Sequence, residues 1–527
     1  MGIYLNPGFA NFEEMLKAEI YVDKTMLIAG INRLMDTGEK YICMSRPRRF
    51  GKTIASNMLC AYYSKGVDST ELFASYKIAG DPSFRKKMNK YNVIKLDLNS
   101  EYQNTKNKLD LIEKITEDVK SEMRQAFTKI VFSEEDTLAK CILKVYSATG
   151  ETFVILIDEY DVLVREKVDQ VLFDSYMSFL NGLFKSDTLR PAISLAYLTG
   201  ILPVVRDRIQ SKLNNFNEYT FLDALSLAEY VGLISDEVQE VCRKYDMDFD
   251  VCRQWYDGYR QGEFEIYNPE SVVKSMIAKR YGNYWNRTST YMVIAERIRM
   301  NFDGTRDAVV RMIAGESIPV NVGRFMNTMD SFASRDDIFA YLIHLGYLAY
   351  NIDDETCRIP NREVRNEWLN AIADDKDYAV TNKIIEDSRQ LLRDTIAGNE
   401  ESVVVALDTT HIHVTSNRSY NNEDALGSAI YLAYIYALND YTCVREMTAG
   451  KGYADVIYIP VHPGNSDRPA MIMELKKNDC TESALDQIRN KQYFDLLTHY
   501  QGRLLFVGIN YDEKEKTHTC QIEWFEK

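Results

Sequence analysis

The sequence predicts an α/β protein of two to four domains, with a mostly parallel sheet in its N-terminal part and a second α/β domain at its C-terminal end. Three observations favour this fold class. The chain has 527 residues, several times the usual domain size. Short β-rich runs alternate with longer helical stretches over the first 220 or so residues. Strand-like runs return after about residue 386.

The N-terminal part contains four apolar runs of strand length. We expect strands at Tyr41–Ser45, 92–98, 152–157 and 193–198, with helices over 106–128 and 168–185. Continuous apolar runs are typical of parallel strands that are buried on both faces. This pattern predicts a first domain over residues 1–222.

The remainder of the chain divides by pattern into a helical region, 223–385, and a second α/β domain, 386–527. A β-like piece at 347–361 predicts a hairpin after a helix, which is the outline of a winged helix. In the last domain we expect helices over 386–397 and 423–438, strands over 453–461 and 469–476, a further helix, and a strand over 502–510.

Composition excludes several classes of protein. Hydrophobic residues make up 46% and charged residues 27% of the chain, which are ordinary globular values. Apolar runs far shorter than the roughly 20 residues of a membrane span, and a start without a signal-peptide pattern, predict a cytoplasmic protein with no membrane partner. Nine cysteines without a CxxC pair argue against a disulfide framework or a zinc site. The net charge of -15 disfavours polyanions as partners unless basic residues cluster locally.

The loop RPRRFGKT at 46–53 follows the first predicted strand and precedes a helix. This is the geometry of a phosphate-binding loop, in which backbone N–H groups surround the phosphates. We expect Gly51 to shape the loop, Lys52 to reach the β- and γ-phosphates, and Thr53 to hold Mg²⁺. The standard pattern has glycine where Arg46 stands. The positive charges of Arg46, Arg48 and Arg49 attract anions, although a basic, solvated turn is the alternative.

Two carboxylates, Asp158 and Glu159, follow directly after the buried run 152–157. Ligands of open α/β sheets bind at this end of the strands. We expect Asp158 to coordinate Mg²⁺ and Glu159 to orient or deprotonate the attacking water, whereas capping of the next helix is the alternative. Thr199, at the end of the fourth strand, is placed to sense the γ-phosphate or to cap a helix. These features predict a P-loop ATPase of the class that includes AAA proteins.

A second group of polar residues comprises Asp455, Glu474 and Lys476. If their two runs form an antiparallel hairpin centred between Gly464 and Asn465, Asp455 and Glu474 lie directly opposite each other. Lys476 then shares the face of Glu474. Two adjacent carboxylates require Mg²⁺ or Mn²⁺ between them, and the lysine would position or activate a water that attacks a phosphodiester. Charged residues on an exposed strand are the alternative.

The order of motifs along nearly the whole chain resembles that of a bacterial family of AAA-ATPase-like proteins whose C-terminal region is assigned to the PD-(D/E)XK nuclease superfamily. The resemblance rests on YVDKT (21–25), SRPRRFGKT (45–53), LIDEYD (156–161), LTGILPV (198–204), LNNF (213–216), WYDGY (255–259), IYNPESV (266–272) and LGYLAY (345–350). It implies ATP and Mg²⁺ as cofactors, held by Gly51, Lys52, Thr53, Asp158 and Glu159. In this family Arg46 is an ordinary variant of the loop.

The resemblance also implies roles for residues outside these motifs. Tyr21, Asp23 and Lys24 would help hold the nucleotide or close the site. Arg206 and Arg208 are candidate γ-phosphate or trans-acting arginines, with surface salt bridges as the alternative. In the C-terminal region the family pattern adds Glu423 as a metal ligand and, on a later helix, Gln487 and Tyr493. The arginine that some members carry before the aspartate is absent here.

One further pair is weaker, since His411 and His413 would share a strand face as metal ligands but have no evident third ligand. The sequence therefore favours a cytoplasmic, Mg²⁺-dependent ATPase joined to a PD-(D/E)XK-type nuclease that acts on DNA or RNA, and it leaves a homo-oligomer open. The alternatives are an ATP-dependent conformational switch with a non-catalytic C-terminal binding module, and an ATPase without a nucleic-acid partner.

Overall fold

The computed structural model describes residues 2–166, 168–203, 213–285, 291–325, 332–373, 375–415, 430–449, 452–460, 468–490, 500 and 502–525. The chain forms two compact units, Met1–Thr288 with Pro319–Glu363, and Ser289–Ile318 with Val364–Lys527. Each unit contains part of the region 223–385, so the two units do not correspond to the predicted domains 1–222, 223–385 and 386–527. That division into three domains stays a prediction. Within the described residues, every helix is too short or too polar to cross a membrane.

A five-stranded parallel sheet lies at the centre of the first unit. Its strands are β1 (Tyr41–Ser45), β2 (Asn92–Asp97), β3 (Phe153–Asp158), β4 (Ile193–Gly200) and β5 (Asn217–Tyr219), in the order β2-β3-β4-β1-β5. The four predicted strands are confirmed to within two residues at each end. Strand β5, which has three residues and lies at the edge of the sheet, was not predicted.

The helices of this region cover both faces of the sheet. They are α1 (Ala10–Leu16), α2 (Met26–Leu34), α3 (Lys52–Tyr63), α4 (Thr70–Phe73), α5 (Phe84–Lys87), α6 (Leu98–Asn104), α7 (Leu111–Ala126), α8 (Leu138–Thr149), α9 (Val162–Arg165) and α10 (Gln170–Phe184). Because side chains alternate along a strand, Cys43 and Ile155 enter one buried cluster whereas Ile42 and Leu156 enter the other. This double burial explains the unbroken apolar runs in the sequence.

The middle of the chain is mainly helical, as the sequence predicts, with short strands between the helices. Its helices are α11 (Ser235–Lys244), α12 (Phe249–Tyr256), α13 (Pro269–Ala278), α14 (Tyr291–Ile298), α15 (Thr305–Ile313), α16 (Arg335–Leu345) and α17 (Arg362–Ala373). The strands are β6 (Leu233–Ile234), β7 (Tyr259–Gln261), β8 (Phe264–Tyr267), β9 (Ile318–Pro319), β10 (Ala349–Asn351) and β11 (Thr356–Arg358). The predicted hairpin after a helix is confirmed, since β10 and β11 pair antiparallel after α16.

A second five-stranded sheet forms the core of the C-terminal part. It consists of β12 (Tyr441–Ala449), β13 (Gly452–Pro460), β14 (Ala470–Lys477), β15 (Leu504–Asp512) and β16 (Thr517–Phe525), in chain order. Only β14 and β15 are parallel neighbours. The accompanying helices are α18 (Ala379–Ala397), α19 (Glu400–Thr415) and α20 (Thr481–Asn490). Strands β12 and β16 and helix α19 were not predicted. Of the expected helix at 423–438, residues 423–429 lie outside the described residues, 430–433 are helical, and a 3-10 helix follows at Ile435–Asn439.

Helix α19 also corrects one interpretation. His411 and His413 lie within this helix rather than on a strand. Residues two apart do not share a helix face, so the geometric reason for pairing these histidines as metal ligands no longer holds.

Candidate nucleotide and nuclease sites

The loop between β1 and α3 has the backbone that a phosphate-binding loop requires. Gly51 caps α3 with a φ of 89°, in the left-handed region that favours glycine. A Cβ atom built at this position would have no neighbour within 4 Å, so the backbone conformation rather than crowding selects glycine. The N-terminus of the 12-residue α3 therefore opens directly from the loop, where its free N–H groups attract anions.

The side chain of Lys52 is held by main-chain carbonyl groups of the same loop. The side chain is buried, and its ammonium donates hydrogen bonds to the carbonyl oxygens of Arg46 (3.0 Å) and Pro47 (2.9 Å). Burial lowers the pKa of Lys52, and the nearby carboxylates of Glu159 and Asp158 oppose that shift. The charge thus lies between the loop and the acidic end of β3.

Arg46 has a different environment from the one that the sequence suggests. Its side chain is fully buried, and Nη1 donates to the carbonyl oxygens of Ser45 (2.9 Å), Tyr219 (3.1 Å) and Thr220 (2.8 Å). Burial lowers the pKa of this guanidinium to about 10. Arg46 therefore ties the loop to the end of β5, and this placement argues against the phosphate contact proposed for it.

A cavity of about 640 Å³ lies beside the loop, within the size range of small-molecule sites. The residues that line it are charged or polar (Arg48, Arg49, Lys52, Thr53, Asn99, Glu159, Arg165, Glu166 and Glu270) or small and apolar (Ala18, Ile20, Gly51, Ile54, Pro269 and Val273). Arg49 pairs with Glu270 at 3.2 Å and donates to the carbonyl oxygen of Tyr284 at 3.3 Å. The cationic and apolar lining residues together suit a phosphorylated, partly apolar ligand.

The carboxyl ends of β3 and β4 place the predicted acids next to Thr199. The hydroxyl of Thr199 is buried and donates to the Asp158 carboxylate, which also accepts the Glu159 N–H at 3.1 Å. Thr199 therefore lies in β4 and bonds Asp158, so its hydroxyl does not serve as the helix cap that the sequence also allowed. Hydroxyl and carboxylate oxygens are the ligands that Mg²⁺ prefers, so the donor set of Thr53 and Asp158 fits that ion.

Glu159 stands in an unusual conformation at the cavity edge. Its φ of 53° lies in the left-handed region, which is uncommon for a residue with a long side chain. Burial raises the pKa of its carboxyl group, whereas Lys52 and Arg165 lower it. The carboxylate forms an ion pair with Arg165. Sequence reasoning missed Arg165, whose only signal was an arginine one helical turn after Asp161.

Other residues named in the sequence analysis contact protein groups. Asp23 accepts the N–H groups of Thr25 and Lys77, each at 2.8 Å. The ammonium of Lys24 lies 2.5 Å from a Glu237 carboxylate oxygen. The ring of Tyr21 packs edge-on against Phe12 and Tyr76. These contacts stabilise the segment before α2, and Arg206 and Arg208 lie outside the described residues.

The predicted register of the C-terminal hairpin is confirmed. Strands β13 and β14 pair Val456 with Met473, Ile457 with Ile472 and Tyr458 with Met471. Each pair is symmetric about the predicted centre between residues 464 and 465. Continued by one residue, the same register sets Asp455 opposite Glu474, although the Asp455 side chain is outside the described part of the structure.

Three side chains of this second site, those of Glu474, Lys476 and Gln487, come together. Glu474 is buried on β14, and the Lys476 ammonium donates to it at 3.2 Å and to the Gln487 side-chain oxygen at 2.6 Å. Gln487 belongs to α20, which can approach the sheet because Gly508 faces it. A Cβ atom at Gly508 would lie 2.8 Å from the Thr481 carbonyl oxygen.

The donor set of this second site is only partly described. Glu423 and Tyr493 lie outside the described residues, and the described side chains contain no group of three or more His, Cys, Asp or Glu residues that could hold a metal. The buried Glu474 carboxylate supplies the hard oxygen that Mg²⁺ or Mn²⁺ takes.

Comparisons with known proteins agree with this geometry. Residues 7–210 match the family model of predicted AAA-ATPases, and residues 421–521 match that of the PD-(D/E)XK nuclease superfamily. A protein from Azotobacter chroococcum mcd 1, described as an uncharacterized protein in the vnfD 5' region, is 25% identical over 284 residues, which are 51% of this chain and 51% of that relative. The match thus spans about half the length of that relative.

Two solved structures are similar at a low level. C. elegans PCH-2 has 13% identity and a TM-score of 0.23, with 64% of this chain and 72% of the other covered. The ORC2 protein of Aeropyrum pernix has 9% identity and a TM-score of 0.31, with 67% and 96% covered. The first match contains the loop at 46–53 with Asp158 and Glu159, and the second contains Glu474, Lys476 and Gln487. Together they show that the chain joins an AAA-ATPase-like region to a region of the PD-(D/E)XK nuclease superfamily.

Proposed function

We propose that this protein is a Mg²⁺-dependent ATPase joined to a metal-dependent nuclease that acts on DNA or RNA. The observation that carries the ATPase assignment is the meeting of Lys52, Thr53 and Glu159 at one cavity. Asp158 accepts the Glu159 N–H and is close enough to affect the pKa of Lys52. The nuclease assignment depends on the contact of Lys476 with both Glu474 and Gln487.

In the nucleotide site each residue has a task that follows from its chemistry. Lys52 would exchange its loop carbonyl partners for β- and γ-phosphate oxygens. Thr53 and Asp158 would hold Mg²⁺, and that ion, when bound, offsets negative charge on the phosphates. Thr199 keeps the Asp158 carboxylate oriented. Glu159 would orient the attacking water and accept its proton.

In the nuclease-like site Glu474 would hold a divalent metal together with Asp455. The metal, when bound, stabilises the charge that develops on the scissile phosphate. Lys476 would position the attacking water, and Gln487 orients the Lys476 ammonium. Because the chain carries a net charge of -15, we expect nucleic acid to bind weakly outside this site.

Cleavage assays on the purified full-length protein test the nuclease assignment. We expect DNA or RNA to be cut with Mg²⁺ or Mn²⁺ present, and the Glu474→Ala and Lys476→Ala variants to lose this activity. Lys477→Ala is the matched control, because Lys477 is the next residue of β14 and pairs instead with Glu513 at 3.3 Å.

Two other results would assign a different function. Binding without cleavage across substrates and metals would contradict the nuclease and support an ATP-dependent switch with a non-catalytic binding module. If nucleic acid is not retained even at low salt, where phosphate contacts are strongest, the protein is an ATPase without a nucleic-acid partner.

A further inference from the structure

Arg165 joins two carboxylates at the edge of the nucleotide cavity. Its side chain is only 9% exposed. The Nη2 group donates to Glu159, and Nε donates to Asp161 at 3.0 Å. A planar guanidinium can hold two acceptors in fixed directions, which the single ammonium of a lysine cannot do.

Asp161 is itself fixed by the main chain. Its side chain is 1% exposed, and the oxygen that binds Arg165 also accepts the N–H groups of Ile201 (3.1 Å) and Leu202 (2.9 Å). Those residues follow directly after β4, the strand that carries Thr199. Through Asp161, Arg165 is therefore anchored to the main chain at the carboxyl end of β4 and not to a movable surface group.

Glu159 is the exposed end of this chain of contacts. Its side chain is 25% exposed, compared with 9% for Arg165 and 1% for Asp161, and both Glu159 and Arg165 line the cavity. A glutamate side chain has several accessible rotamers, and fixing them costs entropy. The ion pair with an anchored arginine fixes the carboxylate beforehand.

We propose that Arg165 is a positioning residue for ATP hydrolysis, which fixes the Glu159 carboxylate at the cavity edge while Asp161 fixes Arg165. The proposal rests on the proposed ATPase function. It predicts an effect on turnover without an effect on nucleotide affinity, because Arg165 acts on the residue that orients the water. If the ion pair only stabilised the fold, removal of Arg165 would lower both turnover and nucleotide affinity.

The test compares Arg165→Ala with the wild-type full-length protein in kcat, KM and affinity for a non-hydrolysable ATP analogue. We expect kcat to fall on the order of 100-fold, as for a misplaced catalytic group, and the analogue affinity to stay unchanged. Arg165→Lys should have a kcat between those of Arg165→Ala and the wild type, because lysine retains the positive charge but cannot bind both carboxylates as the guanidinium does. The matched control is Arg311→Ala, since Arg311 also contacts two carboxylates, Glu316 at 2.8 Å and Asp307 at 3.8 Å, and should leave kcat unchanged.

Wild-type kcat in Arg165→Ala, or a loss of analogue affinity parallel to the loss of kcat, overturns the proposal. If the alanine variant does not fold, Arg165→Lys decides, and wild-type turnover in that variant overturns it. Absence of ATPase activity in the wild type overturns both this proposal and the ATPase function. Activity that Glu159→Gln abolishes but Arg165→Ala retains overturns only the role of Arg165.

Discussion

Gly346 packs against Pro47, so the helix before the β10–β11 hairpin supports the phosphate-binding loop. A Cβ atom at Gly346 would lie 2.9 Å from two carbons of the Pro47 side chain and 3.0 Å from Trp285. The carbonyl oxygen of Gly346 also accepts the Tyr259 hydroxyl at 2.6 Å. Two motifs of the middle region, WYDGY and LGYLAY, thus contact each other beside the loop.

We expect Gly346→Ala to destabilise the fold and to weaken ATP binding. Its φ of 84° alone costs a non-glycine residue about 1–2 kcal/mol, and the close contact would displace Pro47. Gly398→Ala is the control, because Gly398 ends a helix with a φ of 76° but has no neighbour within 4 Å of its Cβ position. Thermal unfolding and ATP titration should show a larger loss of stability and of ATP affinity for Gly346→Ala than for Gly398→Ala. Equal losses in the two variants would contradict the claim that Gly346 supports the loop through Pro47.

Gln487→Ala should slow nucleic-acid cleavage roughly 10- to 100-fold, the usual cost of removing a partner that orients a site residue. The reason is that Lys476 would lose its 2.6 Å hydrogen bond and, among the described residues, would keep the contact with Glu474. Cleavage rates with saturating Mg²⁺ measure the effect. Gln521→Ala, which changes a glutamine of β16 that bonds Thr481 and Glu482, should cut as the wild type does. If Gln487→Ala cleaves nucleic acid at the wild-type rate, the proposed role of Gln487 in this site is wrong.

Asp257 makes the stability of the first unit depend on pH. Burial raises the pKa of its carboxyl group to about 6, against the opposing effects of Arg253 and Arg358, and one of its oxygens is buried without a described hydrogen-bond partner. The folded state therefore favours the neutral acid. This contribution to stability is present below about pH 4 and is lost as the pH rises through about 6.

At pH 8, Asp257→Asn should therefore have a free energy of unfolding about 2–3 kcal/mol greater than that of the wild type, and it should unfold at a higher temperature. The difference should shrink as the pH falls towards 4. Asp353→Asn, which removes an exposed carboxylate of the same unit, is the control. A difference between Asp257→Asn and wild type that does not vary with pH would contradict the ionisation argument.

Local sequence predicted those parts of the sites in which one segment supplies the geometry. Gly51, Lys52 and Thr53 lie in one loop, and Asp158 ends a strand that is recognisable from its apolar run. The β13–β14 register followed from symmetry about one turn. In each case the relevant residues are neighbours in sequence or are related by a single hairpin.

Features that depend on distant contacts were missed or misread. Arg46 is buried because the carbonyl groups of Tyr219 and Thr220 lie beside it, more than 170 positions along the chain. Arg165 became relevant only when its ion pairs were seen. Strands β12 and β16 do alternate polar and apolar residues in part, a signal that could have revealed them.

The most direct test of the account is ATP binding and hydrolysis measured side by side for the wild type, Lys52→Ala and Glu159→Gln. Lys52→Ala should lose nucleotide binding, because Lys52 is the one lysine among the described residues that line the cavity. Glu159→Gln should bind ATP as the wild type does but should not hydrolyse it, because the amide cannot accept a proton from water. Unchanged turnover in both variants would contradict the assignment of this cavity as the site of ATP hydrolysis.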